Sequence, residues 1–135
     1  MQFGEKLKKL REEKGMTQQE FADAVGISLR TVGNYEKEGR LPRYRSVYEK
    51  IAGLFGVSVT YLLSDADDFI LTAGEQYGAR GAEQARDLVQ SMVGLMAGGN
   101  LPDEDKKAIL DALQEAYYFS KKENQKYASA EKKGR

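Results

Sequence analysis

The 135-residue sequence predicts an all-α fold, and three observations carry that prediction. Apolar residues recur at helical spacing along most of the chain. Helix-start signals stand close together at Thr17 and Ser28, with a single glycine between the two helices they open. Glycine or proline then closes most of the periodic stretches.

The first helix spans about residues 3–14, with Phe3, Leu7 and Leu10 on one face, and Gly15 ends it. Residues 17–36 read TQQEFADAVGISLRTVGNYE. Thr17 and Glu20 form a capping box, flanked by a hydrophobic staple of Met16 and Phe21. Gly26 supplies the left-handed backbone needed to leave a helix sharply. Ser28 caps the next helix, with Ile27 and Val32 as its staple. Two caps this close force a helix, a tight turn and a second helix at a steep angle, the helix-turn-helix signature.

A loop, EGRLPRYR, follows at residues 38–45, broken by Gly39 and Pro42. The fourth helix, about 46–55, is expected to bury Tyr48, Ile51, Ala52 and Phe55 before Gly56 closes it. Ser58 caps a short fifth helix with Val57 and Leu62 as staple. Leu7, Leu10, Phe21, Ala22, Val25, Val32, Ile51, Phe55 and Leu62 are the expected core.

Asp65, Asp67 and Asp68 mark a change of character, so the first domain is expected over 1–64 and a connector over 65–82. Within it, residues 69–77 are either a short helix or a semi-ordered link. A helical hairpin is expected over 83–121. Its first arm carries Ala85, Leu88, Val89, Met92, Leu95 and Met96, and the AGGN stretch at 97–100 stops it. Pro102 and the acidic Asp103–Glu104–Asp105 suit the first turn of the second arm. Its stripe is read as Ile109, Ala112, Leu113, Ala116, Tyr117 and Ser120. Residues 122–135 lose periodicity and gain positive charge, and a frayed or disordered tail is expected there.

The composition is that of an ordinary soluble chain, and no apolar run approaches the length of a membrane span. The start MQFGEKLKK lacks the apolar core of a signal peptide. The absence of cysteine and histidine excludes the common zinc sites and histidine-based nucleophilic catalysis, and fits the cytoplasm. Net charge is zero, but Met1–Ser64 holds 11 Lys/Arg against 8 Asp/Glu, a net of +3, and the remainder is −3. Nucleic-acid binding needs a basic face rather than a basic whole, and this split permits one.

The ordered set LKKLREEKGMTQQEFA, the turn GIS, the helix through NYE, and IAGLFGVSVTYLL resembles the Cro/CI-type helix-turn-helix domain of the XRE family of bacterial and phage repressors. The resemblance covers about residues 3–64 and implies a five-helix, lambda-repressor-like DNA-binding domain. The run from DDFI through EQYGARG to LPDEDKKAILDALQEAY is similar to short repressor-like members of Firmicutes genomes and their mobile elements.

The resemblance implies that Leu29, Arg30 and Asn34 read base edges, with Thr31 alongside as a further candidate. Their chemistry agrees: Arg30 can donate twice to guanine, Asn34 can pair bidentately with adenine, and Leu29 can cover a thymine methyl. It also implies a phosphate contact from Gln18 at a helix start, where exposed amides favour anions, and Thr17 beside it is a further candidate. Lys37, Arg40 and Arg43 are further phosphate candidates. Arg11 and Glu36 match an ion pair that orients the reading helix. Each exposed charge could instead be plain surface solvation.

Leu88, Met92, Leu95, Met96, Ile109, Leu113 and Tyr117 form a second apolar cluster, read as a homodimerisation surface. Packing of the hairpin onto its own domain and a pocket for a partner are the alternatives. The expectation is a transcriptional regulator, a dimeric repressor of double-stranded DNA, associated with the nucleoid when bound, with no cofactor, no metal and no membrane. An antitoxin-like autoregulator whose C-terminal helices bind a partner protein is the alternative. A self-cleaving repressor would need a longer β-rich peptidase domain, which residues 65–135 do not resemble.

Overall fold

The computed structural model describes residues 1–96 and 101–133, and the side chains of 1–94 and 101–125. The described residues form α1 (Phe3–Glu13), α2 (Gln18–Val25), α3 (Leu29–Lys37), α4 (Arg45–Phe55), α5 (Val59–Leu62), α6 (Asp65–Met96) and α7 (Asp103–Lys133). The chain is all-helical, as the sequence predicts, and divides into two compact units, Met1–Leu71 and Thr72–Arg135.

In the first unit the expected caps are all present. The Thr17 side chain accepts from the Glu20 amide while the Glu20 carboxylate accepts from the Thr17 amide, completing the box. Ser28 accepts from Thr31, and Ser58 from Tyr61. Gly26 takes φ 79°, ψ 34°, a left-handed geometry that costs glycine nothing and would strain any side chain.

The apolar faces meet in one core. Leu7, Phe21, Ala22, Val32 and Ile51 are fully buried, and Leu10 and Phe55 pack half-buried against them. Phe55 stacks on Phe21 with ring centroids 5.8 Å apart. Phe3 meets the edges of Tyr35 at 5.7 Å and Tyr48 at 5.3 Å, linking α1 to α3 and α4. Burial drives the Tyr48 phenol well above its ordinary pKa, so this hydroxyl stays protonated.

Helix α1 lies unusually close to α3. A Cβ on Gly4 would fall 2.2 Å from the Tyr35 carbonyl oxygen, so only glycine admits this crossing.

The first unit extends past the expected boundary at residue 64. The Ser64 hydroxyl accepts from the Asp67 amide at 3.2 Å, making it the cap of α6. Asp65, Asp67 and Asp68 occupy the first turn, where carboxylates complement the helix dipole. Asp68 pairs with Arg45 at 2.9 Å, and Leu71 completes the core. The acidic cluster that reads as a boundary is therefore a helix start.

In the second unit, the stretch expected as a connector is helical, and its break falls at Gly78, where φ 75° and ψ −167° leave the helical region. The backbone doubles back there. A Cβ on Gly81 would meet the Ala73 carbonyl at 2.9 Å, and one on Gly74 would sit 3.2 Å from the Ala82 Cβ. Residues eight apart along a straight helix would stand about 12 Å apart, so these small residues form a tight crossing of two arms.

Helix α7 lies against this region through Tyr117, whose hydroxyl donates to the Gly81 carbonyl at 2.9 Å. The Lys121 ammonium bonds Gln84 and sits over the Tyr77 and Tyr117 rings, at 5.3 and 5.5 Å from their centroids. The expected stripe on α7 is displaced: Leu110 is buried at 6% exposure and Ile109 is exposed at 39%. Helix α7 also continues to Lys133, through most of the segment expected to be disordered. The AGGN stretch at 97–100 and residues 134–135 lie outside the described residues.

Replacing Gly4 with Ala is expected to destabilise the first unit by about 1–3 kcal/mol, the usual cost of overpacking. Urea denaturation of the two chains measures the difference, and an unchanged midpoint would refute the close crossing.

Candidate nucleic-acid interface

The arrangement around α3 begins with a buried cation. The Arg11 side chain leaves α1 and donates through Nε to Glu36 Oε2 at 2.9 Å and through Nη2 to Oε1 at 3.0 Å. Its Nη1 donates to the Met16 carbonyl at 2.8 Å. Exposure is 10% for the arginine side chain and 2% for the glutamate, so the pair is desolvated and bidentate. The bond to Glu36 raises the Arg11 pKa above its already high value. One guanidinium thus holds α1, the segment entering α2, and the C-terminal half of α3.

Gln18 extends this network. Its amide donates to Glu36 Oε1 at 3.3 Å, a long bond that leaves a second N–H on the same nitrogen. The capping box uses the Glu20 amide, while those of Gln18 and Gln19 have no intrahelical acceptor. The start of α2 therefore gathers donors suited to an anion. Thr17 keeps its hydroxyl hydrogen there, since its oxygen acts as acceptor in the box.

Along α3, Val32 and Tyr35 are buried, which turns Leu29, Arg30 and Lys37 to the exposed side. Arg30 and Asn34 are four residues apart and share a face. Leu29 is 47% exposed although it is apolar. Asn34 and Thr31 are half-buried. Thr31 differs from its neighbours, because its hydroxyl shares a 2.7 Å hydrogen bond with Ser28 Oγ.

The Asn34 carbonyl accepts from the amides of Glu38 at 3.1 Å and Arg40 at 3.2 Å, binding the start of the loop to the end of α3. Arg40, Arg43 and Tyr44 are exposed along this loop. Tyr44, exposed at 64%, is a further donor that no sequence pattern announces, because a tyrosine between two arginines carries no periodic signal. The Gln18–Glu36 bond is equally invisible in the sequence, since it joins residues 18 positions apart.

Not every cation of this unit is available to a ligand. Lys6 donates to the Tyr61 carbonyl at 2.8 Å and Lys14 to the Leu54 carbonyl at 2.7 Å, where ammonium groups complement helix C-termini. With Arg11 and Arg45 also paired, four of the 11 Lys/Arg in Met1–Ser64 serve the fold.

The residues expected at the second surface are divided by the structure. Met92 and Tyr117 are buried within the described chain, Leu88 and Leu113 are half-buried, and Ile109 is exposed. Met92 and Tyr117 thus build the second unit rather than present an outer surface. The side chains of Leu95 and Met96 lie outside those described. No described helix is long and apolar enough to cross a membrane.

Comparison with known proteins agrees with this geometry. The family model described as Helix-turn-helix matches residues 7–62. The SPbeta prophage-derived HTH-type transcriptional regulator YonR of Bacillus subtilis strain 168 is 36% identical over 98 residues, which cover 64% of this chain and 89% of that protein. The HTH-type transcriptional regulator YqaE of the same organism is 30% identical over 115 residues, covering 84% and 90%. The cryptic phage CTXphi transcriptional repressor RstR of Vibrio cholerae is 35% identical over 65 residues, covering 48% and 58%. No solved structure matches. The chain belongs to the helix-turn-helix family of XRE-type transcriptional regulators, a family of DNA-binding regulators and not of enzymes.

Arg11→Ala is expected to cost about 3–5 kcal/mol in chemical denaturation, because Glu36 is left charged and buried. A loss under about 1 kcal/mol, the size of an exposed pair, would show that the pair does not organise the unit. Gly33→Ala has open space around the new methyl, and should stabilise α3 by up to about 1 kcal/mol. If the α3 backbone approaches DNA at Gly33, the same change weakens binding, so stability and affinity move in opposite directions.

Proposed function

We propose that this protein is a sequence-specific regulator of double-stranded DNA that acts as a dimeric repressor and reads an inverted-repeat operator through α3. The observation that carries the reading is the outward face of α3: an exposed Leu29, an exposed Arg30 and Asn34 on one face, on a helix oriented by the Arg11–Glu36 pair. In the major groove such a face offers an apolar contact for thymine, a bidentate donor for guanine and an amide for adenine. Thr31 stands alongside them.

Gln18, Thr17 and the first amides of α2 grip one phosphate, while Lys37, Arg40 and Arg43 with the Tyr44 hydroxyl take the opposite flank. The repressor reading draws support from RstR, whose name describes it as a transcriptional repressor. The dimer reading draws support from operator geometry, in which half-sites one helical turn apart call for two copies. The matches to YonR and YqaE are longer than the 71 residues of the first unit, so both extend into the second.

Selection of bound sites from a random DNA pool tests the proposal. Enrichment of an inverted repeat with half-sites about 10 bp apart is the expected result. Arg30→Ala should relax preference at one base pair per half-site and cost about 1–3 kcal/mol. Arg43→Ala should weaken all sites alike and reduce the slope of affinity against salt by about one for each copy bound. A pool from which nothing is enriched would reduce the interface to unspecific phosphate binding.

A further inference from the structure

Lys121 of α7 is half-buried and holds its charge without a counterion. Its ammonium bonds the Gln84 side-chain oxygen and lies over the rings of Tyr77 and Tyr117. Among the described residues no carboxylate pairs with it. An amide and two ring faces fix a cation in place, but they do not neutralise it. The bond to Gln84 uses one of the three N–H groups of the ammonium.

This cation faces a groove of about 370 Å³, at the lower end of the range of small-molecule sites. Helix α6 contributes Gln84, Asp87 and Leu88 to its walls, and α7 contributes Tyr117, Lys121 and Asn124. Gln84 and Asp87 are three residues apart on one helix face, with about 4.5 Å of axial rise between them. The Asp87 carboxylate has no cation paired to it among the described residues. The groove thus has a positive end at Lys121 and Gln84 and a negative end at Asp87, about one helical turn along. The two charges line one groove without pairing to each other, which leaves room for a ligand between them. Half-buried Leu88 and buried Tyr117 supply apolar surface beside them. The Tyr117 ring is fixed there, because its hydroxyl donates to the Gly81 carbonyl.

Opposite charges held a short way apart select a ligand that carries both. An inorganic dianion suits Lys121 and is repelled by Asp87, and a simple amine meets the reverse. A zwitterion satisfies both ends. We infer that the groove between α6 and α7 of the second unit binds a free α-amino acid with an apolar side chain. The ligand carboxylate accepts from the Lys121 ammonium and the Gln84 amide N–H, and its ammonium donates to Asp87. Its side chain lies along Leu88 and the Tyr117 ring. Asp87 is exposed, so solvent screens that end and the affinity is modest.

Calorimetric titration of the full chain with each common free α-amino acid, up to about 10 mM, tests the site. At least one with an apolar side chain should bind with a Kd of about 10 μM to 1 mM. Its N-acetyl form, which lacks the ammonium, should bind about tenfold more weakly, the scale of a hydrogen bond to a charged group. Asp87→Asn changes an exposed residue and should weaken the amino acid by the same factor while leaving the N-acetyl form unchanged. Lys121→Met keeps the unbranched stem beside the tyrosines and should abolish binding of both. If that variant loses helix content, Asp87→Asn carries the test. A panel in which no amino acid binds would overturn the site. Equal binding of the N-acetyl form, or an Asp87→Asn chain of natural affinity, would overturn its two-ended character. Tighter binding of inorganic phosphate than of any amino acid would overturn the ligand class. None of these readouts involves DNA, so the site stands or falls apart from the operator-binding reading.

Discussion

The Arg11 guanidinium is the fixed point of the first unit. Its donors reach Glu36 of α3 twice and the Met16 carbonyl ahead of α2, and Glu36 in turn accepts from Gln18. A pair this deeply buried gains little net stability over an apolar isostere, because both charges lose water. Its value is geometric. A bidentate fork tolerates little rotation, so it sets how α3 lies against α1 and links the start of α2 to the outward side of α3. Gly4 serves the same alignment from the other side by letting α1 approach the Tyr35 backbone.

Around that point the cations sort themselves by role. Lys6 and Lys14 lie on α1 and close the C-terminal carbonyls of α5 and α4, and Arg45 pairs with Asp68. Arg30, Lys37, Arg40 and Arg43, on α3 and the loop after it, are exposed. A chain with no net charge thereby concentrates positive charge along one helix and its following loop, which is what a polyanion responds to. None of the buried side-chain nitrogen and oxygen atoms among the described residues lacks a hydrogen-bond partner, so this sorting leaves no desolvated group behind.

The second unit is organised by small residues and tyrosines. Gly78 breaks α6, Gly74, Gly81 and Ala82 let its arms cross closely, and Tyr117 and Lys121 bridge the wider gap to α7. Long amphipathic side chains can span such a gap with their polar ends satisfied. Ile109 and Phe119 remain on the outside.

Much of this is legible in the residues themselves. The capping box at Thr17, the caps at Ser28 and Ser58 and the exit at Gly26 are local devices, complete within four or five residues, and each forms where its pattern lies. The outward chemistry of α3 follows from the burial of Val32 and Tyr35, a periodicity that can be counted along the sequence. What tertiary structure alone decided depends on neighbours distant along the chain. Which cations are taken up by helix ends, that Leu110 rather than Ile109 turns inward, and that the acidic run at 65–68 opens a helix were all settled by packing partners. A helix with apolar residues on two faces has no intrinsic preference between them. Only the surface waiting beside it, here Gly81 and the tyrosines, determines which face is buried and which is left for something else.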